Sequence, residues 1–179
     1  GPNVARQISV RSGIPHGVCA TTVNMACGSG LKSIVLAADA IRRGEIDVAV
    51  AGGTESMSGL PFFLPKMRRG HRLGHAPVVD AMYKDGFECP LADMVMGETA
   101  ETLAQELGIT RDAQDAFALR SQQRAGAAIE TGRFAAELEP VTVETRKGSV
   151  LVEADEHVRP DATLEKMGRL PAGFASKFE

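Results

Sequence analysis

The chain has 179 residues, 44% hydrophobic and 24% charged, the balance of an ordinary soluble globular protein long enough for one domain or parts of two. A net charge of -3 argues against a general nucleic-acid binder, and no apolar run approaches membrane-spanning length. The three cysteines, Cys19, Cys27 and Cys89, are an odd set with no C-x-x-C pair, which suits a reducing compartment and speaks against a zinc site or a disulfide framework.

Asn3 caps a helix through Val4, Ala5, Ile8 and Val10 that Gly13 ends. Val18 to Val23 reads as a short buried strand. A second helix carries Leu31, Ile34, Val35, Ala38 and Ile41 at helical spacing and closes at Gly44. Asp47-Val48-Ala49-Val50-Ala51 reads as an interior strand leading into Gly52-Gly53-Thr54-Glu55-Ser56-Met57-Ser58. This alternation predicts an α/β protein with a parallel, helix-covered sheet, of which two strands are too few to stand alone. Composition shifts at Gly59. Residues 60–82 are rich in Pro and Gly and carry Phe62, Phe63, Leu64 and Met67 beside Lys66, Arg68, Arg69 and Arg72, the mark of an interface-forming excursion. Two helices follow, one with Ala100, Leu103, Ala104 and Leu107 on a face, the next capped by Thr110. Their Gly108-Ile109-Thr110 joint predicts that they pack together. A hairpin flanks Arg146-Lys147-Gly148, and Asp161 caps a short last helix through Leu164 and Met167.

One stretch carries chemistry. Cys27 stands between the first expected strand and the second helix, followed at once by Gly28-Ser29-Gly30. Glycines let the backbone bend and come close to a ligand. The helix turns its unpaired N–H groups and positive dipole end toward the thiol, a field that favours the thiolate, the reactive form. The competing reading is a small buried hydrophobe, which is what most free cysteines are. The residues alone leave both open. Cys19 reads as core and Cys89 as a core or channel residue.

Val23-Asn24-x-x-Cys27-Gly28-Ser29-Gly30 resembles the nucleophile segment of the thiolase family, the acetyl-CoA acetyltransferases and 3-ketoacyl-CoA thiolases. Asp47 to Ser58 resembles the family's strand and AGG-x-E-x-MS turn. Lys84-Asp85-Gly86, Met96-Gly97-Glu98-Thr99-Ala100-Glu101, Arg111-Asp112-Ala113-Gln114-Asp115-Ala116-Phe117-Ala118 with Ser121-Gln122, and Arg146-Lys147-Gly148 through Arg159 continue the resemblance in order. It covers nearly the whole chain. It implies a partial thiolase fold: residues 1–58 as the later part of the first α/β half, and 59–179 as the inserted loop domain, with oligomer contacts at 60–82 and a cover over the CoA groove from 83 onward.

The resemblance also implies acyl transfer through an S-acyl-cysteine at Cys27, with coenzyme A thioesters as substrates and no separate cofactor or metal. Phe87, Met96 and Phe174 are implied to line the pantetheine channel, and Arg159 and Lys166 to meet the nucleotide end. A homo-oligomer, dimer or tetramer, is implied, with neither nucleic acid nor membrane as partner. The implied compartment is the cytoplasm, with the mitochondrial or peroxisomal matrix as the other options. Two positions depart from the family pattern: Val95 stands where a His is common, and Lys166 where a Ser contacts CoA. The family's Gly-His-Pro base and second catalytic Cys have no counterpart here, since His16, His71, His75 and His157 lie in other contexts and Cys89 precedes Pro90-Leu91. With a start at Gly1 and an end at Lys177-Phe178-Glu179, this reads as an incomplete chain. The alternative is a non-catalytic thiolase-like fragment that binds CoA or a partner. A cysteine–histidine hydrolase built on Cys27 and His75 lacks an identifiable orienting Asp or Asn.

Overall fold

The computed structural model describes residues 2–174. Gly1 and Lys177-Phe178-Glu179, on which the reading of an incomplete chain leans, lie outside the described residues. Two compact units divide at Glu88 and Cys89.

In the first unit, α1 spans Val4–Arg11, and its Asn3 cap accepts a hydrogen bond from the Arg6 N–H at 2.9 Å. The same Asn3 reaches across the unit: its Nδ2 donates to the Ala20 carbonyl at 3.0 Å, and its Oδ1 accepts from the Thr22 hydroxyl at 2.8 Å. Arg6 adds bonds to the carbonyls of Val18 at 2.7 Å and His16 at 2.8 Å. Side chains of α1 thus hold the segment that leads to Cys27. Helix α2, Ser29–Arg42, follows, with Gly44 in the left-handed region as expected of a helix end.

Neither Val18–Val23 nor Asp47–Ala51 forms a strand in the described residues, which corrects the reading of both. A parallel strand of this kind is stabilised by neighbours on both edges and cover on both faces. Here Val48 and Val50 are 82% and 90% exposed, so the apolar run is present without the sheet that would bury it. Cys19, expected in the core, is exposed for the same reason.

The 60–82 excursion is closed rather than structureless. Strands β1, Phe62–Phe63, and β2, Val79–Asp80, pair antiparallel as Phe62↔Asp80 and Phe63↔Val79. Ala81 donates to the Pro61 carbonyl at 3.2 Å and is the buried hydrophobic residue of the described chain. A π-helical turn, Met82–Phe87, completes the unit. The short strands β3, Glu88–Cys89, and β4, Met94–Val95, pair where the two units meet in sequence.

In the second unit, α3 spans Met96–Glu106 and α4 spans Arg111–Glu130, the latter capped by Thr110, whose hydroxyl accepts from the Ala113 N–H at 3.3 Å. The two do not form the expected helix pair. Instead α4 packs on α5, Leu164–Gly168. Arg111 makes that junction: its guanidinium donates to the carbonyls of Met167 at 2.8 Å and Leu170 at 3.1 Å while holding Asp115 at 2.9 Å. The cap of α5 is Thr163 rather than Asp161, since the Thr163 hydroxyl accepts from the Lys166 N–H at 3.2 Å. The hairpin of β5, Val141–Thr145, and β6, Gly148–Val152, forms as expected, with Gly148 at φ 118° in the turn. Its Val141/Val152 and Val143/Val150 pairs share one face, which is exposed.

Candidate active site

Cys27 is exposed and stands immediately before Gly28, the cap of α2. The turn that presents it is tied locally. Ala26 is left-handed, with φ 47°, a conformation that costs a residue with a Cβ about 1–2 kcal/mol. Asn24 Oδ1 accepts from the Ala26 N–H at 3.0 Å. The Ser29 hydroxyl does two jobs, accepting from the Met25 N–H at 2.8 Å and donating to the Ala26 carbonyl at 2.7 Å. Gly28 and Ser29 give their backbone N–H groups to the carbonyls of Met25 and Ala26, both at 3.0 Å. A Cβ on Gly28 would lie 3.3 Å from the Met25 carbonyl oxygen, so the residue after the thiol is small because the turn is tight. One helical turn further on, the Ser33 hydroxyl donates to the Gly30 carbonyl at 2.7 Å, and the Gly52 carbonyl lies 3.4 Å from the same oxygen, which places the Gly52-Gly53 turn beside α2.

The sequence pointed to Cys27 and its glycines. It did not reveal Ala26, because a left-handed alanine has no composition signal. The Asn24 and Ser29 bonds were legible in principle, since Asn and Ser beside glycine favour turns closed by their own side chains.

Phe87 ends the π-helical turn of the first unit, half-buried and edge-on to Tyr83, with ring centroids 5.4 Å apart and planes at 76°. Met96 is the first residue of α3 and 42% exposed. The turn before it is fixed by Glu98, whose Oε2 accepts from the Val95 N–H at 3.0 Å. Arg159 lies on the exposed stretch between β6 and α5, anchored by its backbone N–H, which donates to Gln122 of α4 at 2.7 Å. Lys166 is already engaged, its Nζ 2.7 Å from Asp161 Oδ2 and 3.0 Å from the Asp161 carbonyl. That bond, reinforced by the lysine charge, holds the Asp161 carboxyl below the ordinary aspartate range. Phe174 lies against Gly97, beside Met96. The second unit thus seats Phe174 on Gly97, the residue after Met96, and sets Arg159 on one flank of α4 and Lys166 on α5, which packs on α4. His71, one of four histidines considered as a base, has its ring Nε2 2.8 Å from the Gly74 carbonyl. Among the described residues, no group of three or more His, Cys, Asp or Glu side chains could hold a metal ion.

The model of the family described as thiolase, N-terminal domain, matches residues 1–177. The chain belongs to the thiolase family and carries its N-terminal domain region. Among curated relatives, the acetyl-CoA acetyltransferase of Pseudomonas aeruginosa is 49% identical over 175 residues, covering 97% of this chain and 44% of that protein. An acetyl-CoA acetyltransferase of Escherichia coli is 48% identical, with the same 97% and 44% shares. The chain therefore spans less than half the length of these relatives. The crystal structure of human mitochondrial 3-ketoacyl-CoA thiolase superposes with a TM-score of 0.88 at 40% identity, over 96% of this chain and 43% of that one. An acetyl-CoA acetyltransferase from Bacillus anthracis gives 0.89 at 41% identity, over 95% and 43%. The α/β fold expected from sequence is thus a partial thiolase fold.

Proposed function

We propose that this chain is the acyl-accepting part of a thiolase-type acyltransferase working on acetyl-CoA or 3-ketoacyl-CoA. The observation that carries the reading is the presentation of Cys27. An exposed thiol stands at the start of a long helix, on a turn that Asn24 and Ser29 lock in a strained backbone. Strain held in place by several bonds is what a nucleophile turn requires.

In the proposed step the Cys27 thiolate attacks the thioester carbonyl. The Cys27–acyl bond forms, the bond between acyl carbon and CoA sulfur breaks, and CoA leaves as a thiolate that takes up a proton. The Cys27 backbone N–H, at the helix start, supplies one donor to the oxyanion. In the synthetic direction the carbanion of a second acetyl-CoA then attacks the acyl-cysteine, and thiolysis by CoA runs the steps in reverse. Phe87, Met96 and Phe174, each by its place in the sequence, are given to the pantetheine arm, and Arg159 and Lys166 to the phosphates. The base that takes the Cys27 proton is assigned to a Gly-His-Pro segment that this chain does not contain. A homo-oligomer using the 60–82 excursion completes the reading and accounts for the exposed Phe62, Leu64 and Leu73. Such a reaction belongs to fatty acid or acetoacetyl-CoA metabolism.

The test is direct. The chain is incubated with acetyl-CoA at mildly alkaline pH, and peptides are mapped by mass. The expected result is one acetyl group on the Cys27 peptide, lost in Cys27→Ala and retained in Cys19→Ala. A folded sample whose Cys27 takes no acetyl group overturns the acylation step. CoA binding in that same sample would leave the non-catalytic fragment as the reading.

A further inference from the structure

A Cβ built on Gly97 would lie 2.1 Å from Cε2 and 2.2 Å from Cζ of Phe174, with Cδ2 at 3.1 Å. Real Cβ atoms never come so close, so the Phe174 ring rests directly on the Gly97 backbone. Gly97 sits in the first turn of α3, and its φ is not among the positive ones, so it is not there for backbone freedom. Inside a helix, glycine is the poorer choice against alanine. The space taken by the ring accounts for it.

The contact joins two distant parts of the second unit, and each side is separately fixed. Arg111 clamps the carbonyls of Met167 and Leu170, so the chain leaves α5 from a held position and reaches Phe174 four residues later. On the other side, Glu98 fixes the Val95 N–H, and the Thr99 hydroxyl donates to the Met96 carbonyl at 2.7 Å, so the first turn of α3 is braced. Met96 is the residue next to the seat.

We propose that Gly97 is a positioning residue for the pantetheine arm of the thioester. By having no side chain, it seats Phe174 beside Met96, so that the two form one apolar wall for the pantetheine arm. The inference rests on the reading of Met96 and Phe174 given under Proposed function. Gly97 touches no substrate and acts through Phe174. A methyl group at this position pushes the ring off, which a phenylalanine side chain can do by rotating, without breaking α3.

The experiment follows Cys27 acetylation against acetyl-CoA concentration in the wild-type chain, Gly97→Ala, Phe174→Ala and the double variant. Alkylation of Cys27 by iodoacetamide is measured alongside. Gly97→Ala is expected to raise the half-saturating acetyl-CoA concentration roughly tenfold, the size expected for the loss of one aromatic contact, with the limiting rate little changed. Phe174→Ala, which leaves α3 untouched, should do the same. The double variant should be no worse than Phe174→Ala alone, because without the ring a methyl group displaces nothing. Iodoacetamide needs no pantetheine wall, so its rate should not change. Unaltered half-saturation in Gly97→Ala, or additive losses in the double variant, overturns the positioning role while leaving the acylation step intact. A wild-type chain that neither takes an acetyl group nor binds CoA overturns both.

Discussion

At the residue scale the turn around Cys27 is a balance of strain and restraint. Ala26 is held left-handed by bonds from Asn24 and Ser29. Glycine tolerates that conformation without the Cβ penalty. Ala26→Gly is therefore expected to raise stability by up to about 1 kcal/mol, less whatever the more flexible unfolded chain takes back. Ser29→Ala removes two hydrogen bonds, each worth about 0.5–1.5 kcal/mol, and is expected to cost about 1–3 kcal/mol in denaturant unfolding. A Ser29→Ala chain as stable as the wild type would show that the helix start holds the turn without it. The Asp161–Lys166 pair is a second residue-scale device. Its hydrogen bond and charge lower the Asp161 carboxyl below its ordinary value. A depressed folded-state value means that the pairing is fully present above the ordinary aspartate value and is lost only as pH falls through the lowered one. Carbon NMR titration of Asp161 should place its midpoint below that of an unpaired aspartate. Asp161→Asn should release Lys166 and, on the proposed phosphate role, tighten CoA binding at low salt. Unchanged affinity would remove Lys166 from the nucleotide end.

At the element scale, helix ends were the most legible feature. Asn3 and Thr110 cap α1 and α4 because a short polar side chain before an apolar period can satisfy an N–H that the helix leaves unpaired. Thr110→Ala is expected to cost about 1 kcal/mol in thermal or denaturant unfolding. The hairpin was equally local, fixed by Gly148 between two β-branched runs. Helix partners were not legible. A short joint at Gly108 suggested that α3 and α4 pair, yet one long-range side chain, Arg111, commits α4 to α5. Arg111→Ala should free α5 and speed amide exchange at Leu164–Gly168 while leaving α3 unaffected. Equal exchange in both chains would mean that apolar packing alone holds α5.

At the scale of the whole molecule, the chain exposes 15360 Å². Among the described residues Val48, Val50, Leu31 and Phe62 all face outward. Surface of that kind calls for a covering surface. At micromolar concentration the isolated chain is expected to self-associate in light scattering and to bind a hydrophobic dye. A monodisperse monomer that binds no dye would overturn this expectation.

By itself the sequence determined whatever depends on near neighbours: the caps, the hairpin turn, the helix after Cys27 and the family, whose motifs run in order along the chain. The tertiary structure alone decided what depends on partners far along the chain. Without neighbours, the runs at Val18 and Asp47 form no strand, because a parallel ladder needs a second edge that periodicity cannot supply. In the sequence Gly97 is one glycine of a motif; in the fold Phe174 lies on it, and no local pattern encodes which distant ring will need that space.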